Sequence, residues 1–217
     1  NQGMIFNGGL LLAAMVQSDS CPDKQQLFAR ADQNLQEVIP SQQLADGTPH
    51  EGLSYWNTSM VYGGIPMLAM ANAANLSFAQ RWGGSLAETM KFLAYCKSNA
   101  GDGTLRMFNF SDSTYSTIFG GRIPFFLVED DPVARWILSL TQASEQTSSN
   151  YNLLNMMLLS RYTGYPGAPI NLPLRRKFDT SQIVFWRGGW ADGDPNFTFI
   201  SGPVSRGHHH ADKNSLT

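Results

Sequence analysis

The sequence predicts an α+β chain, mostly helical up to about residue 163 and stranded beyond about residue 180. Three observations carry this expectation. Apolar residues recur at helical spacing in successive segments before residue 163. A stretch dense in Gly and Pro, Gly164 to Pro173, then interrupts the pattern. Beyond it, Gln182-Ile-Val-Phe-Trp-Arg187 and Phe197-Thr-Phe-Ile200 are β-branched and aromatic, a composition suited to a pleated, half-buried surface.

The first apolar run, Ile5, Leu10 to Ala14 and Met15, is helical and begins with no lead-in. From Pro22 to Ile39 the positions Leu27, Ala31, Leu35 and Val38 keep helical spacing, with Pro22 suited to the first turn and Pro40 expected to stop the helix. Asp46-Gly-Thr-Pro-His50 is turn chemistry. Leu53, Trp56, Met60, Ile65, Met67, Leu68 and Met70 then predict one long buried helix, with a break expected at Gly63-Gly64 and Pro66. Ser85 to Cys96 predicts a helix capped near Ser85, with Leu86, Met90, Phe92, Leu93 and Cys96 inside and Gly101-Asp-Gly103 ending the region. Residues 104–124 read as loop or short strand, and 132–143 and 150–162 as helices. The units are therefore residues 1–163, a linker at 164–180, and strands at 181–217.

The chain has 217 residues, 42% hydrophobic and 12% aromatic, enough for a sizeable core. A net charge of −2 provides no global field for nucleic acid or an anionic membrane, so a polyanion must be held by local cations. Arg122, Arg187, Arg206 and the run Arg175-Arg176-Lys177 are the candidates, the run also reading as a solvated surface. Cys21 and Cys96 form neither a disulfide framework nor a zinc spacing. The apolar run from Gly8 to Val16 is shorter than the roughly 20 residues of a membrane span. With Asn1 opening almost at once into a helix and Leu216-Thr217 opening a strand, the chain is expected to be incomplete at both ends.

Three constellations carry chemistry. In Gly207-His208-His209-His210-Ala211-Asp212-Lys213-Asn214-Ser215, strand alternation puts His208, His210 and Asp212 on one face and His209 on the other. Such a face presents imidazoles to a substrate or metal, whereas the plain alternative is a solvated His-rich turn or tag remnant. In Asp46-Gly47-Thr48-Pro49-His50-Glu51-Gly52-Leu53-Ser54-Tyr55-Trp56, Glu51 and Tyr55 are four apart and would stack on one helix face. A Tyr beside cationic groups ionises more readily, while the plain alternative is a helix start with core aromatics. Ser111-Asp112-Ser113, followed by Arg122, reads alone as a turn.

Taken in order, these motifs resemble the heparinase II/III-like superfamily, which includes alginate lyases and is related to dermatan sulfate epimerase. The resemblance rests on Gly207, His208, His210, Asp212, Asn214 and Ser215, and on Asp46, Gly47, Glu51, Gly52 and Tyr55. Asp112 falls in a segment similar to the family's Asp-Ser loop, and Asn1, Gln2 and Asn7 in one similar to its Asn/Gln-rich helix. The resemblance implies an incomplete (α/α) toroid running into an antiparallel β-sandwich, and β-elimination at a uronic acid of an acidic polysaccharide. It implies Tyr55 and His208 as catalytic residues and Glu51 as a substrate contact. Asn1, Gln2, Asn7, His50, Asp112, Arg122, Arg206 and Asn214 join Glu51 as expected substrate-binding residues. His210 is similar to a ligand of a structural zinc. A further catalytic His would precede Asn1, the other zinc ligands would follow Thr217, and the protein would be secreted or periplasmic.

A uronosyl C5-epimerase shares the proton abstraction. An α/α-barrel glycoside hydrolase would use Glu51 and Asp112 but leaves His208, His210 and Asn214 without a role. A non-catalytic carbohydrate-binding protein would stack sugars on Trp56, Trp186 and Trp190.

Overall fold

The computed structural model describes residues 2–75, 86–99, 105–108, 131–142, 170–201 and 215–216. Its helices are α1 (Gln2–Val16), α2 (Lys24–Ser41), α3 (Leu53–Ala73), α4 (Leu86–Cys96) and α5 (Pro132–Gln142). Its strands are β1 (Lys97–Asn99), β2 (Leu105–Met107), β3 (Arg175–Phe178), β4 (Ile183–Arg187), β5 (Asn196–Ile200) and β6 (Ser215–Leu216). The expected helix at 150–162 and the Ser85 cap lie outside the described residues.

Helix α1 packs on both α2 and α3. Its pairing with α2 is antiparallel: Gly3 abuts Val38, and Asn34 Nδ2 donates to Asn7 Oδ1 at 2.8 Å. Against α3 the approach is backbone to backbone, since a Cβ on Gly8 would lie 2.8 Å from Gly63 Cα. Gly63 therefore does not break α3 as expected; its missing side chain admits α1, with Met4 filling the space beside it. Pro66 does not break the helix either. It has no N–H to give Tyr62 O, and that carbonyl faces Gly8, where a Cβ would lie 3.0 Å away. The lost hydrogen bond is outweighed by burial of Met60, Met67 and Met70, each worth about 1.5–3 kcal/mol.

Two prolines bound α2 differently from expectation. Pro22 lies in the turn before the helix, which starts at Lys24. Pro40 lies inside its last turn, where only one bond is forfeited, and Gln42 N–H closes the end on Ile39 O at 3.1 Å.

The larger sheet is antiparallel throughout, in the order β3-β4-β5-β6. β3 lies within the stretch expected to be linker: Arg175–Phe178 pairs with β4 in the register Arg176↔Phe185 and Phe178↔Ile183. Its charged letters hid it, because only Phe178 points fully inward. Gln182, expected in a strand, has φ +54 and belongs to the turn before β4. Alternation puts Phe178, Ile183, Phe185, Arg187 and Thr198 inside and leaves Trp186, Phe197 and Phe199 exposed. The inner face rests on α4 through edge-on aromatic pairs, Phe92 with Phe178 at 5.0 Å, Phe92 with Phe185 at 5.7 Å and Tyr95 with Phe178 at 5.7 Å. Among the described residues, no helix is long and apolar enough to cross a membrane.

Candidate functional site

Between α2 and α3 the chain closes on itself. Gln43 bridges Pro49, Leu44 N–H donates to Thr48 O at 2.8 Å, Gly47 N–H to Leu44 O at 2.9 Å, and His50 N–H to Gln42 O at 2.9 Å. Two glycines make this closure feasible. Gly47 has φ +87, and a Cβ there would sit 2.4 Å from the Glu88 carbonyl carbon of α4. Gly52 has φ +87 and ψ +170, a conformation open essentially only to glycine, and it immediately precedes α3.

The closure builds a pocket of about 110 Å³ lined by Ser41, Gln42, His50, Glu51 and Trp56. Two of the expected substrate-binding residues, His50 and Glu51, thus share one cavity. Its floor is the buried indole of Trp56, whose Nε1–H donates to Gln43 Oε1 at 3.3 Å. Tyr55 sits half-buried in the first turn of α3, and its carbonyl accepts the Ser59 hydroxyl at 2.9 Å. Glu51, expected on the same helix as Tyr55, lies just before it, because Gly52 turns the chain at the entry to α3.

Gln2 is exposed at the first residue of α1. The antiparallel pairing puts it at the end of the helix pair where α2 finishes with Ser41, a pocket residue. The amide of Asn7 is engaged between the helices, its Nδ2 donating to Gly3 O at 2.8 Å while Oδ1 accepts from Asn34. Asn1, Asp112, Arg122, Arg206, His208, His210 and Asn214 lie outside the described residues. Among the described residues, no group of three or more His, Cys, Asp or Glu is placed to hold a metal ion.

Of the candidate cations, Arg187 is spoken for by the core. Only 1% of it is exposed, and its guanidinium donates to Tyr95 O at 3.0 Å and Lys97 O at 2.7 Å and lies 4.5 Å over the Trp190 ring. Burial pushes its pKa down to about 10, which leaves it charged at neutral pH. Its work is to satisfy carbonyls at the C-terminal end of α4, where a cation also complements the helix dipole. Arg176 reaches Glu88 of α4 at 3.2 Å, Arg175 lies 4.1 Å over Trp186, and Lys177 pairs with Asp179 at 2.8 Å. The basic run thus decorates the sheet and its seam with α4.

Sequence reading missed the roles of Arg187 and of Asp46. Asp46-Gly-Thr is legible as a side-chain-supported turn, and Asp46 Oδ1 does accept Thr48 N–H at 3.1 Å. Its other partner, Ser181, is 135 residues away and carries no local signal.

No family profile and no curated protein matches the sequence. Solved structures do match the fold. Heparinase III aligns with a TM-score of 0.64 over 97% of this chain at 14% identity. A mutant of heparan sulfate lyase HepC from Pedobacter heparinus aligns at 0.61 over 100%, and HepC itself at 0.59 over 98%, both at 14% identity. The chain therefore has a heparinase III-like fold. It spans only about 30% of the length of those proteins.

Proposed function

We propose that this chain is part of a polysaccharide lyase that cleaves a uronic-acid-containing polymer by β-elimination. The helices are read as an arc of a toroid and the β3–β6 sheet as the start of a sandwich, meeting at a substrate cleft. One observation carries the reading: within a heparinase III-like fold, the glycine-built loop gathers His50 and Glu51 into one pocket and leads within four residues to Tyr55.

The chemistry asks for three things. The C5–H bond lies α to a carboxylate and is weakly acidic, so the negative charge that develops on that carboxylate must be stabilised. Amide side chains such as Gln2 and Asn1, with Arg122, Arg206 and Asn214, suit that task, and His50, Glu51 and Asp112 suit the sugar hydroxyls. A base removes the C5 proton, the C–H electron pair becomes the C4=C5 double bond, and the C4–O4 bond breaks. The departing O4 takes a proton and leaves as an alcohol, so no water is consumed. Tyr55 and His208 are assigned these two proton transfers. A structural zinc with His210 among its ligands, and a secreted or periplasmic setting, complete the proposal; no step passes through the metal.

The test is product chemistry with the full-length protein. A uronate polymer should yield products with rising near-ultraviolet absorbance from the conjugated double bond. New reducing ends without that absorbance would replace the lyase with a hydrolase. Solvent deuterium at C5 without chain cleavage would replace it with an epimerase.

A further inference from the structure

The loop that carries His50 and Glu51 is fastened on a second side, to the sheet. Asp46 Oδ2 accepts both the N–H of Ser181, at 2.9 Å, and its hydroxyl, at 3.1 Å, in the turn between β3 and β4. Thr48 Oγ1 donates to Ser181 Oγ at 2.8 Å, so that hydroxyl relays between the two loop residues. Thr48 and Ser181 are buried, and Gly47 between Asp46 and Thr48 is wedged against the Glu88 and Thr89 backbone of α4. One carboxylate thus ties together the loop, the sheet and, through Gly47, the start of α4.

We propose that Asp46 is a positioning residue of the site, holding the loop in register on the sheet and thereby placing His50, Glu51 and the first turn of α3 with Tyr55. This rests on the lyase reading. A carboxylate suits the place because both oxygens must accept: Oδ1 meets Thr48 N–H, and Oδ2 meets two donors of Ser181. An asparagine of the same shape turns an N–H against a donor whichever way its amide is flipped.

The experiment compares Asp46→Asn, Ser181→Ala and the double variant in the full-length protein by two readouts. Backbone amide exchange reports the clasp whatever the reaction, and turnover on a uronate polymer reports the positioning. In Asp46→Asn the amides of Thr48 and Ser181 should lose protection, and kcat should fall about tenfold or more with KM within about twofold, as for a misplaced catalytic group. Ser181→Ala keeps the backbone bond and should show a smaller drop. The double variant should be no worse than Asp46→Asn alone, because both remove one linkage. Unchanged exchange at Ser181 would overturn the clasp. Loosened exchange with unchanged kcat, or a raised KM with kcat kept, would overturn the positioning role. A wild-type protein that forms no unsaturated product sinks the lyase reading and the catalytic role with it, and the exchange data then decide the clasp by themselves.

Discussion

Gly47→Ala tests whether the closed loop is held by the geometry described. Two costs combine. An L-residue at φ +87 is strained by about 1–2 kcal/mol. The new methyl also lies 2.4 Å from the Glu88 carbonyl carbon and 2.6 Å from both Glu88 O and Thr89 N. These are backbone atoms of a packed helix and cannot rotate aside, so overpacking adds about 1–3 kcal/mol. The sum, about 3 kcal/mol, corresponds to a Tm drop of about 6–12 °C for a chain of this size. Two other glycines separate the terms. Gly193 has φ +86 with no atom near its missing Cβ, so Gly193→Ala should cost only the backbone term. Gly9 is exposed in α1 with nothing near, so Gly9→Ala should stabilise by about 0.5–1 kcal/mol. Urea unfolding of the three variants, with m-values compared, gives the order. A Gly47→Ala variant no weaker than Gly193→Ala would refute the packing of this loop on α4.

Arg187→Met should destabilise by about 2–4 kcal/mol by stripping donors from the buried Tyr95 and Lys97 carbonyls, with Arg187→Lys recovering part; calorimetry showing a neutral Met variant would exclude the carbonyl-satisfying role. Cys21 should react with a thiol reagent in the native protein and Cys96 only after unfolding, a pattern that two equally fast equivalents would contradict. Burial holds the Cys96 thiol well above its ordinary value of 9.0, so above about pH 9 the unfolded chain releases this proton first. The Cys96 contribution is therefore intact below that pH and declines as pH rises, and Cys96→Ala should flatten this part of the alkaline limb in pH-dependent unfolding. Tyr55→Phe should cut turnover by about 10²-fold with folding intact, against Trp56→Phe as a packing control; near-wild-type turnover would make Tyr55 a core aromatic.

The helices were legible because burial along them is periodic: Ala31, Leu35 and Ile39 in α2, and Leu86, Met90 and Leu93 in α4, are all inside. What misled was punctuation read without its partners. Gly63 and Pro66 signal a break only if α3 stands alone; with Gly8 of α1 against Gly63 and the Tyr62 carbonyl, the same letters allow two helices to touch. β3 failed for the opposite reason. Arg175-Arg176-Lys177 has no apolar alternation, and its pairing is dictated by β4, the aromatic ring under Arg175 and the Glu88 carboxylate beside Arg176. The loop motif stood out in the sequence, whereas the reason for its spacing did not: Gly47 and Gly52 are backbone requirements, and Asp46 answers to a residue 135 positions away.

That division bears on how a fold survives at 14% identity to its structural relatives. Packing of α4 on the sheet needs large apolar side chains at Phe92, Tyr95, Phe178 and Phe185, and many combinations of similar volume would serve. The loop before α3 tolerates far less, since positive φ at two positions and a dual-acceptor carboxylate at a third each admit almost one residue type. Such constraints are costly unless they hold something in place. Here they hold His50 and Glu51 in one pocket and deliver the chain into α3 one turn from Tyr55, on a loop bound to helix and sheet at once. Ordinary turn residues could not make this closure, since a side chain at Gly47 would meet the α4 backbone and a neutral amide at position 46 could not accept from all of its donors.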